Sequence, residues 1–167
     1  MIKAALFDLD GVVFETESQY SIFWGMIGRE YHPEIPDFEY RIKGQTLVQI
    51  YDKYFSEDSV FAHIKGYTDA KSEQDKITTR LNEFEKNMSY PYITGFEDFI
   101  KDLKQNGVKC AVVTSSNVQK MQNVYRQHPE FKGYFDRVLT SENFAKSKPD
   151  PDCYLKLYLI HISEPTR

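Results

Sequence analysis

Two cysteines in 167 residues, Cys110 and Cys153, are few. They show no metal-ligand spacing, and the plain reading is two buried, reduced thiols. No apolar run approaches the length that crosses a bilayer, and the N-terminus leads directly into a strand-like segment rather than a signal sequence. The expectation is therefore a cytoplasmic protein without a membrane partner. No basic block occurs. The 21 Lys and Arg are outnumbered by 25 Asp and Glu, net charge −4, which gives no support for nucleic-acid binding. What is present, 41% hydrophobic and 28% charged residues, is the composition of a soluble globular protein. The length suits one ordinary domain or a small domain carrying an insertion. The 12 Tyr and 12 Phe fill core and helix-packing positions.

The stretch Leu6-Phe7-Asp8-Leu9-Asp10-Gly11-Val12-Val13 organises the rest. An apolar run from Ile2 to Phe7, broken only by Lys3, reads as a strand buried on both faces of a parallel sheet. Residues two apart on an extended chain share a side. Asp8 and Asp10 thus leave the strand's C-terminal edge close together, where ligands of open α/β sheets bind. Like charges so close need a cation or a shared proton, and a hard cation such as Mg²⁺ suits paired carboxylates. A solvated Asp-x-Asp turn capping the strand is the alternative.

Downstream, Tyr20, Phe23, Trp24 and Ile27 follow helical spacing over 17–31, with Thr16 as N-cap. A break follows at His32-Pro33 and Ile35-Pro36-Asp37. The turn Lys43-Gly44-Gln45-Thr46 precedes a second helix with Leu47, Ile50, Tyr51 and Tyr54 on one face. From 56 to 88, Val60, Phe61, Ile64, Tyr67, Ile77, Leu81, Phe84 and Met88 recur at helical intervals, predicting one long helix or two joined near Gly66, antiparallel to the earlier pair. The α/β pattern returns at Pro91: a helix with Phe96, Phe99, Ile100 and Leu103, closed by Gly107; a strand over 108–113; a helix with Val118, Met121, Val124 and Tyr125; and a short strand over 135–139. Strand–helix alternation implies parallel crossovers.

Two further clusters carry chemistry. Thr114-Ser115-Ser116-Asn117 ends one strand and opens a helix, where hydroxyls and unpaired helix amides form an anion site; alternatively Asn117 or Ser116 merely caps the helix. Ser147-Lys148-Pro149-Asp150-Pro151-Asp152 fixes a cation between turn residues ahead of a helix beginning at 151 or 152; a solvated surface lysine is the alternative.

Taken in order, strand–DxDG, strand–TSS and KPxPD resemble the haloacid dehalogenase-like (HAD) phosphohydrolases and phosphomutases, in particular the β-phosphoglucomutase-like branch. The resemblance implies an α/β Rossmann-like HAD core, a parallel sheet here incomplete, over 1–14 and 90–158, with an inserted α-helical cap over 15–89. It implies Asp8 as the nucleophile that forms an aspartyl-phosphate and Asp10 as general acid/base. Thr114 and the Ser115 amide would bind phosphate, and Lys148 would pair with the nucleophile. Mg²⁺ would sit on the Asp8 carboxylate and the Asp10 backbone carbonyl. The cap would close over the site and exclude water, with Lys43, Gly44 and Gln45 as its substrate-specificity loop; an ordinary helix-preceding turn is the alternative there. The implied partner is a small phosphorylated metabolite.

Two departures separate this chain from the mutases of that branch. Tyr20 stands where the mutase has His on the first cap helix. Leu47 stands where it has an Arg that grips the distal phosphate, which Leu cannot do. A phosphatase is therefore preferred over a sugar phosphomutase, and a dehalogenase is disfavoured because its branch lacks the second Asp. A catalytically dead binding or structural module is the non-enzymatic alternative. Family members continue into a fourth strand, beside the first, with an acidic pair that completes the Mg²⁺ shell; nothing similar follows Lys156. The end Leu159-Ile160-His161-Ile162-Ser163-Glu164-Pro165-Thr166-Arg167 reads like a translated sequencing adapter. The expectation is that 159–167 is non-native, that the chain is an inactive fragment, and that the first strand has an exposed edge.

Overall fold

The computed structural model describes residues 2–57, 61, 64–146 and 148–156. It divides into two compact units, Met1–Thr16 with Ser89–Arg167, and Glu17–Met88. No described helix is long and apolar enough to cross a membrane.

The first unit is α/β. Strands β1 (Ala4–Phe7), β2 (Lys109–Val113) and β3 (Arg137–Leu139) form a parallel sheet in that order. Helix α5 (Phe96–Gln105) leads into β2, and α6 (Val118–Gln127) and the short α7 (Phe131–Tyr134) connect β2 to β3. Gly107, at φ 73°, supplies the left-handed turn that ends α5 and lets β2 start at once. Alternation along β2 and β3 puts Ala111, Val113 and Leu139 in one cluster with Phe144 and Cys153. Phe7 packs edge-on to Phe96 and Phe135 at ring separations of 6.1 and 5.7 Å, and Phe14 stacks on Tyr92 and Phe131 at 4.8 and 5.6 Å. Both cysteines are buried and free.

β1 is not the strand buried on both faces that its apolar run suggests. Ala4 and Leu6 are exposed and only Phe7 is buried, because among the described residues β1 pairs with β2 alone and forms the sheet's edge. The residues from 157 onward, including the expected non-native tail, lie outside the described part, as does Val60.

The second unit is helical: α1 (Glu17–Tyr31), α2 (Phe38–Arg41), α3 (Leu47–Tyr54) and α4 (Ala70–Asn87). Thr46 and Gln49 close a reciprocal capping box on α3. A long helix from 56 is not formed: α4 begins only at Ala70, because the Asp69 side chain accepts the Ser72 amide and fixes the start there, while Gly66 at φ 80° turns the chain just before it. The core is aromatic, with Phe23, Trp24, Tyr31, Phe38, Phe55 and Phe61 buried. Two polar groups are built into it. His32 bonds Glu34 and the Tyr54 carbonyl at 2.9 and 2.8 Å. The fully buried Glu73 accepts from Tyr31 Oη at 2.7 Å and Lys76 Nζ at 2.6 Å.

Candidate active site

β1 ends at Phe7 and delivers Asp8 to the C-terminal edge of the sheet. The chain then doubles back on itself. The Val13 and Phe14 amides both donate to the Leu9 carbonyl, and the Gly11 amide donates to the Phe14 carbonyl at 2.8 Å. Gly11 sits at φ 71°, a conformation that a side chain would strain. This turn returns Thr16 to Asp10, and the Thr16 hydroxyl donates to Asp10 Oδ1 at 2.6 Å. Phe7 pairs with Val112 in the parallel register, so Asp8 and the chain after Val113 leave the sheet at one edge. The expected strand-end juxtaposition of the first two motifs is therefore present.

The third motif reaches the same edge. Lys148 Nζ lies 2.7 Å from Asp8 Oδ1 and 3.2 Å from the Val113 carbonyl it donates to. The Leu9 amide also donates to Asp8 Oδ1, at 2.8 Å. Asp150 and Asp152 brace the loop that carries the lysine. Asp152 Oδ2 accepts the Ala145 and Lys146 amides, and Asp150 Oδ1 accepts the Asp152 amide. Helical structure resumes over 152–156.

Thr114 is buried at the end of β2, while Ser115 is exposed. Thr114 Oγ1 accepts the Ser116 amide at 3.0 Å, which leaves the hydroxyl proton as the group it can offer a ligand. Asn117 is the cap of α6, accepting the Lys120 amide at 2.8 Å.

The largest surprise is Lys120. Its ammonium lies 2.6 and 2.7 Å from the two oxygens of Asp10, and the residue is only 3% exposed. Ser116 Oγ adds a bond to Asp10 Oδ2 at 3.0 Å. Burial pushes the Asp10 carboxyl pKa up. The Lys120 charge and the bonds from Lys120, Thr16 and Ser116 outweigh it and hold the group below the usual aspartate range. Each of the two carboxylates thus has an ammonium beside it. Sequence reasoning passed over Lys120 because it belongs to no motif. The signal was a lysine three residues after an Asn cap, where the helix dipole disfavours a cation.

Lys43, Gly44 and Gln45 belong to the second unit. Lys43 is paired with Glu17 at 2.9 Å and lies over the Tyr40 ring; Gly44 has φ 76°; the Gln45 side chain donates to the Arg41 carbonyl at 2.8 Å. Tyr20 donates to Glu85 at 2.7 Å, and Leu47 packs against the aromatic core.

The Asp8 carboxylate and the Asp10 backbone carbonyl are hard oxygen donors, the kind Mg²⁺ takes. They fit the ion in chemistry. The shell they supply is partial, since among the described residues no three His, Cys, Asp or Glu side chains gather to hold a metal.

A parallel sheet with a paired-carboxylate edge, a hydroxyl-bearing segment after β2 and a lysine loop thus meet at one end of the first unit. Residues 5–161 match the family haloacid dehalogenase-like hydrolase, and the chain belongs to that family. Among curated relatives it is 31% identical over 161 residues to "Putative pyrophosphatase PpaX" of Clostridium perfringens, covering 93% of this chain and 68% of that one. It is 23% identical over 158 residues to "Phosphorylated carbohydrates phosphatase" of Thermotoga maritima, covering 92% and 68%. The HAD-hydrolase YfnB of Bacillus subtilis, solved bound to magnesium, shares the fold at a TM-score of 0.60 and 18% identity, covering 99% of this chain and 74% of that one.

Proposed function

We propose that this site hydrolyses a phosphate monoester of a small metabolite through an aspartyl-phosphate on Asp8. The observation that carries the reading is the 2.7 Å contact of Lys148 with Asp8 at the edge shared with Thr114. Phosphoryl transfer asks chiefly for positioning and for charge neutralisation around the transferring group. The Thr114 hydroxyl and the Ser115 amide, between β2 and α6, would donate to phosphoryl oxygens, and Lys148 adds a positive charge beside the nucleophile. With Asp8 Oδ1 engaged by Leu9 and Lys148, Oδ2 is the attacking atom. The Oδ2–P bond forms as the bond from phosphorus to the leaving oxygen breaks, and Asp10 supplies that oxygen with a proton. In the second half Asp10 takes a proton from water, whose oxygen bonds phosphorus and releases Asp8. Mg²⁺, held by the Asp8 carboxylate and the Asp10 carbonyl, would neutralise charge on the phosphoryl oxygens.

The helical unit, 17–88, is read as the cap, with Lys43, Gly44 and Gln45 choosing the substrate. A phosphatase is favoured over a phosphomutase because Leu47 is committed to core packing and offers no donor for a second phosphate. The name of the Thermotoga relative supports a phosphorylated carbohydrate as substrate class. The test is phosphate release from a panel of sugar phosphates and an aryl phosphate, with magnesium chloride present. Turnover that vanishes in Asp8→Asn supports the reading; turnover unchanged in that variant overturns it.

A further inference from the structure

We propose that Lys120 is the positioning residue for Asp10, fixing the direction in which its carboxylate presents itself at the sheet edge. The inference rests on the reading of Asp10 as the acid/base. An ionised carboxylate has about four lone-pair sites to offer. In this structure Asp10 accepts from Thr16, from Ser116 and twice from Lys120, so those sites are filled. To meet a leaving oxygen or a water it must give up a partner. Thr16 and Ser116 are neutral hydroxyls that can rotate away. The ammonium is held by charge as well as by hydrogen bonding, in a place closed to solvent, and a charge-assisted bond is roughly twice as strong as a neutral one. The hydroxyl contacts are therefore the ones exchanged, while Lys120 keeps both oxygens oriented.

The fold has no evident use for a lysine there. Position 120 lies in the first turn of α6, where the dipole opposes a cation, and a buried ion pair is often replaceable by apolar side chains without loss of stability. A residue placed against both costs is explained by what it does to its partner.

The test uses Lys120→Met and Lys120→Arg in the full chain, read in two ways. In initial-rate kinetics, Lys120→Met lowers kcat/KM on an alkyl phosphate, which reports the transfer to Asp8, by about a hundredfold, the low end of what general acid–base catalysis contributes. It costs much less in kcat/KM on p-nitrophenyl phosphate, whose leaving oxygen needs no proton, while the slowed hydrolysis of the shared aspartyl-phosphate lowers kcat on both esters. Lys120→Arg, which keeps the charge, recovers most of the rate. An equal loss of kcat/KM on both esters, or no loss on either, overturns the proposal. In crystal structures, the Asp10 carboxylate abandons Thr16 or Ser116 in Lys120→Met and keeps both in Lys120→Arg. A carboxylate unmoved in the Met variant overturns the proposal whatever the rates. Asp8→Asn, run alongside, separates the two ideas: if it turns over both esters like the parent, the assignment of Asp8 falls, and the crystal comparison still decides the role of Lys120.

Discussion

The ammonium of Lys148 bridges Asp8 and the Val113 carbonyl, 2.7 Å from the one and 3.2 Å from the other. It thereby ties the loop after β3 to the ends of two neighbouring strands. On the proposed reading one cation serves two tasks, holding the nucleophile in place and adding charge for an incoming anion.

Replacing Lys148 by Met removes both. A charge-assisted hydrogen bond contributes about 1.5–3 kcal/mol, so affinity for orthovanadate, measured by calorimetry, falls by about 10- to 150-fold. Unchanged affinity would show that the lysine does not face the anion.

Gly28, on α1, permits α2 to come close. A Cβ there would stand 2.4 Å from Phe38 Cβ, and backbone or ring must shift to admit it. Gly28→Ala is expected to destabilise the helical unit by about 1–3 kcal/mol, the usual cost of overpacking, despite the better helix propensity of alanine. Urea denaturation checks this; a stabilised variant contradicts it.

Glu73 is a carboxylate with no exposure. Burial pushes its pKa up, but the bonds from Lys76 and Tyr31 outweigh that and hold it below the ordinary glutamate range. A depressed folded pKa means stability present above the unfolded pKa, about 4.3, and lost as pH falls through it toward the folded value. Glu73→Gln should flatten the acid limb of the stability curve measured by chemical denaturation. An acid limb identical to that of the parent chain would contradict the assignment.

Much of this was legible in the sequence, for identifiable reasons. β2 could be placed because it is a bounded apolar run, and α1 and α3 because their apolar residues keep helical spacing. The α/β class followed from that alternation, and the strand ends carrying Asp8 and Thr114 followed from the parallel register. Helix α4 was drawn too long because the periodicity of 56–69 is helical, while Gly66 and the Asp69 cap settle the start locally. The short helices α2 and α7 have too few residues to show a period. The pairing of Lys120 with Asp10 joins residues far apart in the chain, and no local pattern encodes it. Only the misfit of a lysine in the first turn of α6 hinted that a counter-charge waited there.

The central claim is that Asp8 carries the phosphoryl group, and covalent trapping addresses it most directly. Asp10→Asn, turning over p-nitrophenyl phosphate, loses the base for the second step and accumulates the intermediate. Acid quenching followed by peptide mass spectrometry should then find a phosphoryl group on the peptide containing Asp8, and none when Asp8→Asn is added. A phosphoryl group on another residue, or bound product with no covalent species in Asp10→Asn, would contradict the account.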